Sequence, residues 1–162
     1  DISTNVLSGL GVNTSYYRWA AALVGRVKRE HPDLLVVVTG HSLGGGLAIY
    51  AVLQNPGVRG VVFNPAGLSW VTWLTTRRAE RARTSEAVTV VSMRNAEHIE
   101  PITAMSLAHR TVLPGHLFIL DAGVSGPLKL HSTTTIEATL ERLQRTAAEG
   151  DACDSVLGML AH

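Results

Sequence analysis

A serine set in a glycine-rich turn is the feature of this 162-residue chain that indicates a chemistry. The segment Gly40-His41-Ser42-Leu43-Gly44 has the spacing G-x-S-x-G, and it lies between an apolar run and a segment with helical periodicity. In that context the pattern is typical of a nucleophile elbow, a tight turn from strand to helix that lifts the serine hydroxyl above a sheet. We therefore expect Ser42 to be a nucleophile, with room for little more than hydrogen at Gly40 and Gly44.

A serine hydroxyl is a poor nucleophile at neutral pH unless a histidine takes its proton and a carboxylate orients that histidine. In folds that carry this elbow, the chain order is serine, acid, histidine. His131 follows the last predicted strand and precedes a predicted helix, so we expect it to be the base. For the acid, the loops after the later strands favour Glu100, with Asp121 and Glu97 as alternatives.

The elements that must position these residues alternate between strands and helices. Apolar, β-branched runs predict strands at 34–39, 59–63, 87–93 and 117–120, the first of them buried on both faces. Periodicity and breakers predict a first helix that ends at His31-Pro32-Asp33, helices at 43–54 and about 68–83, and a last helix capped by Ser132. The expected buried faces are Tyr16, Ala20, Leu23, Val24 and Val27 in the first helix and Ile136, Leu140 and Leu143 in the last. This alternation indicates an α/β fold with a largely parallel sheet flanked by helices.

Composition narrows the classes of function. With 14 basic and 13 acidic residues the net charge is +1, so no overall field favours nucleic acid, and we expect none as a partner. No His/Cys spacing matches a metal site and no phosphate-binding loop is present, so we expect neither a metal nor another cofactor. The single Cys153 excludes an intrachain disulfide. The length predicts one domain at 1–150 and a tail at 151–162.

Taken together, these residues resemble the lipases of the α/β-hydrolase superfamily, more narrowly the class 3 lipases and the lipase-like domains of bacterial secreted phospholipase effectors. The resemblance rests on the elbow, on Asn64-Pro65-Ala66-Gly67 after the second strand, on Glu100-Pro101-Ile102, and on His131-Ser132 at the last helix. Glu100 stands where that family usually has aspartate. Because no convincing strand precedes the first helix, the resemblance implies an α/β-hydrolase core without its N-terminal strands.

The resemblance implies hydrolysis of a carboxylic ester in a lipid or phospholipid through an acyl-enzyme on Ser42, with the Leu43 backbone N–H as one oxyanion donor. The second donor would come from an upstream chain segment that completes the domain, and a missing donor costs roughly 10²–10³ in turnover. The resemblance also implies a secreted or delivered effector and a cognate inhibitor (immunity) protein.

Trp70 and Trp73, which precede several arginines, indicate either transient contact with a membrane surface or packing against the sheet.

Three other interpretations remain open at this point. The same serine and histidine serve an acyltransferase or thioesterase, which differs only in the acceptor of the acyl group. A non-catalytic binding or toxin-partner fragment would keep the elbow as architecture alone. A chance match to a loose motif would leave Ser42 without a function.

Overall fold

A four-stranded parallel sheet with helices on both faces organises the molecule, and the computed structural model describes residues 14–94 and 111–148 of it. The strands of this sheet are β1 (Val37–His41), β2 (Arg59–Phe63), β4 (Val88–Met93) and β6 (His116–Leu120), in the order β1-β2-β4-β6. A second sheet pairs β3 (Leu68–Ser69) with β5 (Thr111–Val112) in antiparallel fashion. The helices are α1 (Thr14–Glu30), α2 (Leu43–Gln54), α3 (Trp70–Thr75), α4 (Arg78–Ala87), α5 (Pro127–His131) and α6 (Thr133–Ala148). The predicted α/β class is confirmed.

Two apolar clusters lie on opposite faces of the sheet, because successive strand side chains alternate in direction. On one face, Val62 and Val90 pack with Ile49 of α2, and all three are at most 1% exposed. On the other face, Phe63 and Val91 pack against the cluster that contains Leu130 of α5 and Ile136 of α6. The helix that follows Ser42 and the helix that follows His131 are thus anchored independently to the same strands.

The first helix buries only part of the predicted face: Val24 packs against the core cluster and Ala20 is half-buried. Tyr16, Leu23 and Val27 are 61%, 42% and 37% exposed, whereas Ala21 and Gly25 are buried. The reason is close packing against α2, since a Cβ at Gly25 would lie 2.7 Å from Asn55 Oδ1. Apolar residues cover so much of α1 that periodicity alone did not single out the small-residue side.

The first strand begins later than predicted and is less buried. Leu34 and Leu35 precede β1 and are 62% and 61% exposed, and Val37 is 52% exposed. Within the described residues β1 pairs with β2 alone, so one of its edges is open. The expectation of a strand buried on both faces was therefore wrong for this part of the chain.

The predicted helix at 68–83 is instead β3, α3 and α4. Thr76 ends α3: its hydroxyl donates to the Thr72 carbonyl oxygen at 2.7 Å and its backbone turns extended, with ψ 144°. Leu68 and Ser69 pair with β5, a ladder too short for periodicity to reveal. Trp73 packs against the core cluster beside α2, which agrees with the interpretation that this segment packs against the sheet.

The last helix begins where the sequence predicted. Ser132 Oγ accepts the backbone N–H of Thr135 at 3.2 Å, which caps α6. Ile136 is buried and Leu143 packs beside it, whereas Leu140 is 36% exposed and lines an open cleft. The cap places His131 directly before the helix, at the end of α5.

Candidate active site

Ser42 occupies a sharp turn between β1 and α2. Its backbone has φ 55° and ψ −125°, a left-handed conformation that is rare for a residue with a side chain. The turn is held to the neighbouring strand: the Ser42 N–H donates to the Phe63 carbonyl at 3.2 Å, and the Ser42 carbonyl accepts the N–H of Ala66 at 2.8 Å. Backbone hydrogen bonds on both sides thus maintain the strained turn, as at many functional sites.

The glycines of the motif serve different purposes. A Cβ at Gly40 would overlap the carbonyl group of Gly44 and lie 2.7 Å from Gly45 N, so the turn requires glycine there. At Gly44 no atom of the described residues outside its own helical turn lies within 4 Å of such a Cβ, which corrects the expectation that both flanking glycines are needed. Gly45 allows Pro65 to pack closely against α2, because a Cβ added at Gly45 would lie 2.6 Å from the Pro65 Cβ.

The structure brings Ser42 and His131 together across 89 residues of sequence. His131 Nε2 lies 2.9 Å from Ser42 Oγ. With the ring proton on Nδ1, Nε2 accepts the serine hydroxyl, which is the arrangement that a general base needs. The contact forms because β1 and β6 are parallel and their carboxyl ends meet at one edge of the sheet.

The environment of His131 favours its neutral form. Burial lowers the pKa of His131 below its usual value of 6.5, and the neighbouring charge of His41 lowers it further. The two imidazole rings are 4.8 Å apart between centroids and tilted by 46°. A neutral imidazole has the free ring nitrogen that a general base needs.

The acid of the predicted triad is not placed by the described residues. Glu100 and Glu97 lie outside them. Asp121 is exposed, and its carboxylate accepts the Gly123 N–H at 2.8 Å. Within residues 14–94 and 111–148, no carboxylate hydrogen-bonds to the His131 ring. This geometry does not favour Asp121, so Glu100 and Glu97 remain predictions.

Leu43 is the first residue of α2, so its N–H is among those that have no acceptor within the helix. This is the position that the predicted oxyanion donor requires, next to Ser42. In the described part of the chain no strand precedes β1, and a second donor from an earlier strand is not identified there.

Two further residues at this site, His41 and Asn64, were not predicted from the sequence. His41 Nε2 lies 2.6 Å from the His131 carbonyl oxygen, and Asn64 Nδ2 donates to the Leu130 carbonyl at 2.9 Å. In the sequence, Asn64 belongs to the motif after the second strand and His41 to the elbow, but neither pattern predicts a role for the side chain. The sequence signal that points to Asn64 is an amide side chain directly after an apolar strand, because a buried amide requires hydrogen-bond partners.

A cleft of about 430 Å³ opens beside His41. Its walls combine Phe63 of β2 with one side of α6, including Ile136, Leu140, Glu137 and Glu141. No helix in the described ranges is long and apolar enough to cross a membrane. Nor do three or more metal-binding side chains gather anywhere in those ranges.

A parallel sheet, an elbow serine and a histidine after the last strand define an α/β-hydrolase-type domain. The chain belongs to the phospholipase-like family, because the model of the Tle-like phospholipase domain matches residues 1–105. That match contains Ser42 and His41 but not His131, whose role is inferred from its geometry.

A stretch of 69 residues is 42% identical to the extracellular phospholipase A1 of Serratia liquefaciens. The stretch covers 43% of this chain and 21% of the relative, so the alignment spans about a fifth of that protein. No solved structure matches the chain significantly.

The difference between the two glycines predicts different costs of substitution. Gly40→Ala should destabilise the protein by about 1–3 kcal/mol or more, because the methyl group meets rigid backbone. Gly44→Ala is the matched control and should change stability by less than about 0.5 kcal/mol or increase it slightly, since it adds a methyl group in open space on a helix. Urea unfolding measures both, and equal losses would contradict this account of the turn.

The electrostatic surroundings predict the titration of His131. With the His41 imidazole replaced in His41→Gln, the His131 ring should titrate with a higher midpoint than in wild type, since the charge of His41 disfavours the imidazolium. Histidine ring NMR signals followed against pH give the midpoint, with His131→Gln used to assign the signal. An unchanged or lower midpoint in His41→Gln would contradict the described environment.

Proposed function

We propose that this domain hydrolyses carboxylic esters of lipids, in the manner of a lipase or phospholipase A, through an acyl-enzyme on Ser42. The observation that carries the proposal is the 2.9 Å contact of Ser42 Oγ with His131 Nε2 at an elbow, in a chain of the phospholipase-like family. The Serratia relative, an extracellular phospholipase A1, supports the substrate class and export from the cell.

In the proposed reaction Ser42 Oγ attacks the ester carbonyl carbon while His131 Nε2 takes the hydroxyl proton. The oxyanion of the tetrahedral intermediate accepts the Leu43 N–H. The intermediate collapses to an acyl-serine, and the leaving alkoxide takes the proton from His131 and departs as the alcohol. Water, deprotonated by His131, then attacks the acyl-serine and releases the carboxylic acid and the free Ser42.

A carboxylate at His131 Nδ1 completes the proposal, and we assign this role to Glu100. It would hold the ring with its proton on Nδ1 and stabilise the imidazolium. The exposed site of Asp121, with its carboxylate on the Gly123 N–H, supports Glu100 over Asp121. We also propose that a segment pairing with the open edge of β1 supplies the second oxyanion donor, since donors of this kind follow an earlier strand.

The cleft beside His41 offers a place for part of the substrate. Phe63, Ile136 and Leu140 give it an apolar wall that suits an acyl chain. The cleft opens next to the imidazole pair, so a chain bound there would end close to Ser42.

A fluorophosphonate probe tests the nucleophile and the base. Wild-type protein should be labelled on Ser42, Ser42→Ala should not be labelled, and His131→Ala should react about 10⁴-fold more slowly. Ser85→Ala and His116→Ala, which lie away from the elbow, are matched controls. Vesicles of phosphatidylcholine and phosphatidylglycerol should then release fatty acid and lysophospholipid. A folded wild type that stays unlabelled would contradict the serine mechanism, and acyl transfer to an added alcohol or thiol in place of hydrolysis would favour the acyltransferase alternative.

Amide substitutions distinguish the candidate acids, since an amide keeps the shape of the side chain but stabilises the wrong histidine tautomer. Glu100→Gln should slow labelling of Ser42 about 10⁴-fold. Asp121→Asn and Glu97→Gln should leave the rate within about threefold of wild type. A large loss in either of these two variants, with Glu100→Gln unaffected, would show that Glu100 is the wrong residue.

A further inference from the structure

Two side chains outside the Ser42–His131 pair contact the backbone that carries the base. His41 Nε2 lies 2.6 Å from the His131 carbonyl oxygen. Asn64 Nδ2 donates to the Leu130 carbonyl oxygen at 2.9 Å. The two donors come from the ends of neighbouring strands, and the two carbonyls are consecutive along the chain.

These contacts matter because α5 is too short to fix His131 by itself. The helix has five residues, Pro127–His131, and its N-cap Gly126 offers no side-chain hydrogen bond. A helix of this length is unstable without tertiary contacts, and its last carbonyl groups accept no hydrogen bond from within the helix. Leu130 anchors it in the second core cluster, whereas Leu128 is 82% exposed.

Asn64 is held too rigidly to be an incidental partner. It is 5% exposed and has φ 38°, a left-handed conformation that asparagine tolerates better than most residues. Its Oδ1 accepts the Met93 N–H at 2.8 Å, and its own N–H donates to the Val91 carbonyl at 2.8 Å. The amide group is thereby oriented by β4, and its remaining donor points at Leu130.

His41 links the base to the nucleophile itself, because it is the residue before Ser42. A carbonyl oxygen can only accept, so the hydrogen bond requires the proton of neutral His41 to be on Nε2. The titratable groups around this ring in the described residues are His131 and, along the shared cleft, Glu137 and Glu141 of α6.

We propose that His41 and Asn64 are positioning residues: they hold the main-chain carbonyls of His131 and Leu130 and so keep the base within reach of Ser42. This inference rests on the proposed function. A displacement of about 1 Å in a reacting group can cost on the order of 10²-fold in rate, so loss of either donor should act on turnover.

The test at His41 compares two amides that differ in reach. Glutamine places its NH₂ group close to the position of the histidine Nε2, whereas asparagine is one methylene too short. With a soluble p-nitrophenyl ester, His41→Asn should lower kcat by about 10–100-fold with KM within about twofold, and His41→Gln should restore most of that loss. Both variants lose the imidazole charge, so both should raise the pH midpoint of the reaction, because His41 lowers the pKa of His131.

The test at Asn64 changes one hydrogen bond. Asn64→Asp keeps the acceptor for Met93 N but presents a carboxylate to the Leu130 carbonyl, so kcat should fall by about 10–100-fold with KM little changed. Asn55→Asp is the matched control, since the Asn55 amide holds the Ala21 and Ala51 carbonyls far from the site. Circular dichroism and melting curves establish that each variant is folded.

The outcomes separate the two proposals. If wild type is labelled on Ser42 and His41→Asn keeps wild-type kcat, the positioning role is wrong while the proposed function stands. Equal losses in His41→Asn and His41→Gln would overturn the inference at His41, since the imidazole rather than the donor would then be required. If Asn64→Asp does not fold, the comparison of His41→Asn with His41→Gln decides whether the positioning role is correct. A folded wild type that is never labelled overturns the proposed function and the inference with it.

Discussion

The left-handed backbone of Ser42 is the constraint on which the rest of the site depends. At φ 55° the chain reverses within one residue, so that β1 ends and α2 begins with the hydroxyl between them. Such a turn is costly for a residue with a side chain, by about 1–3 kcal/mol. It persists because Gly40 lets the backbone of Gly44 come close and because Phe63 and Ala66 bond to both sides of Ser42.

The parallel arrangement of the strands brings the Ser42 turn and the other site residues together at one edge of the sheet. β1, β2, β4 and β6 run in the same direction, so the residues that follow them collect at one edge. The Asn64 side chain spans this edge, because it bonds to Met93 of β4 and to Leu130 beside the base. The sheet therefore supplies both the elbow and the support for the base, although His131 lies on a short helix outside it.

The sequence predicted most of this arrangement where the signal was local. The elbow, the four strands of the parallel sheet and the cap at Ser132 follow from spacing, turn residues and apolar runs, and the same signals with the chain order predict Ser42 and His131. The buried face of α1 was predicted only in part, because what decides the rest is the close approach of Gly25 to Asn55, a contact between helices. The carbonyl contacts of His41 and Asn64 escaped prediction for the same reason, since side chain to main chain bonds over 66 and 90 residues leave no local pattern.

The surroundings of His131 create a requirement that the described residues do not meet. Burial and His41 both lower the pKa of His131, which keeps the ring neutral but also makes it a weaker base. The proposed reaction passes through the imidazolium, the form that these surroundings disfavour. His41 and Asn64 fix the backbone of the base but do not contact Nδ1, so they do not offset this penalty. A carboxylate at Nδ1 would offset this penalty, because it attracts the positive charge of the imidazolium that burial disfavours. The physical case for an acid from outside the described residues therefore depends on the environment of the base and is independent of the motif that contains Glu100.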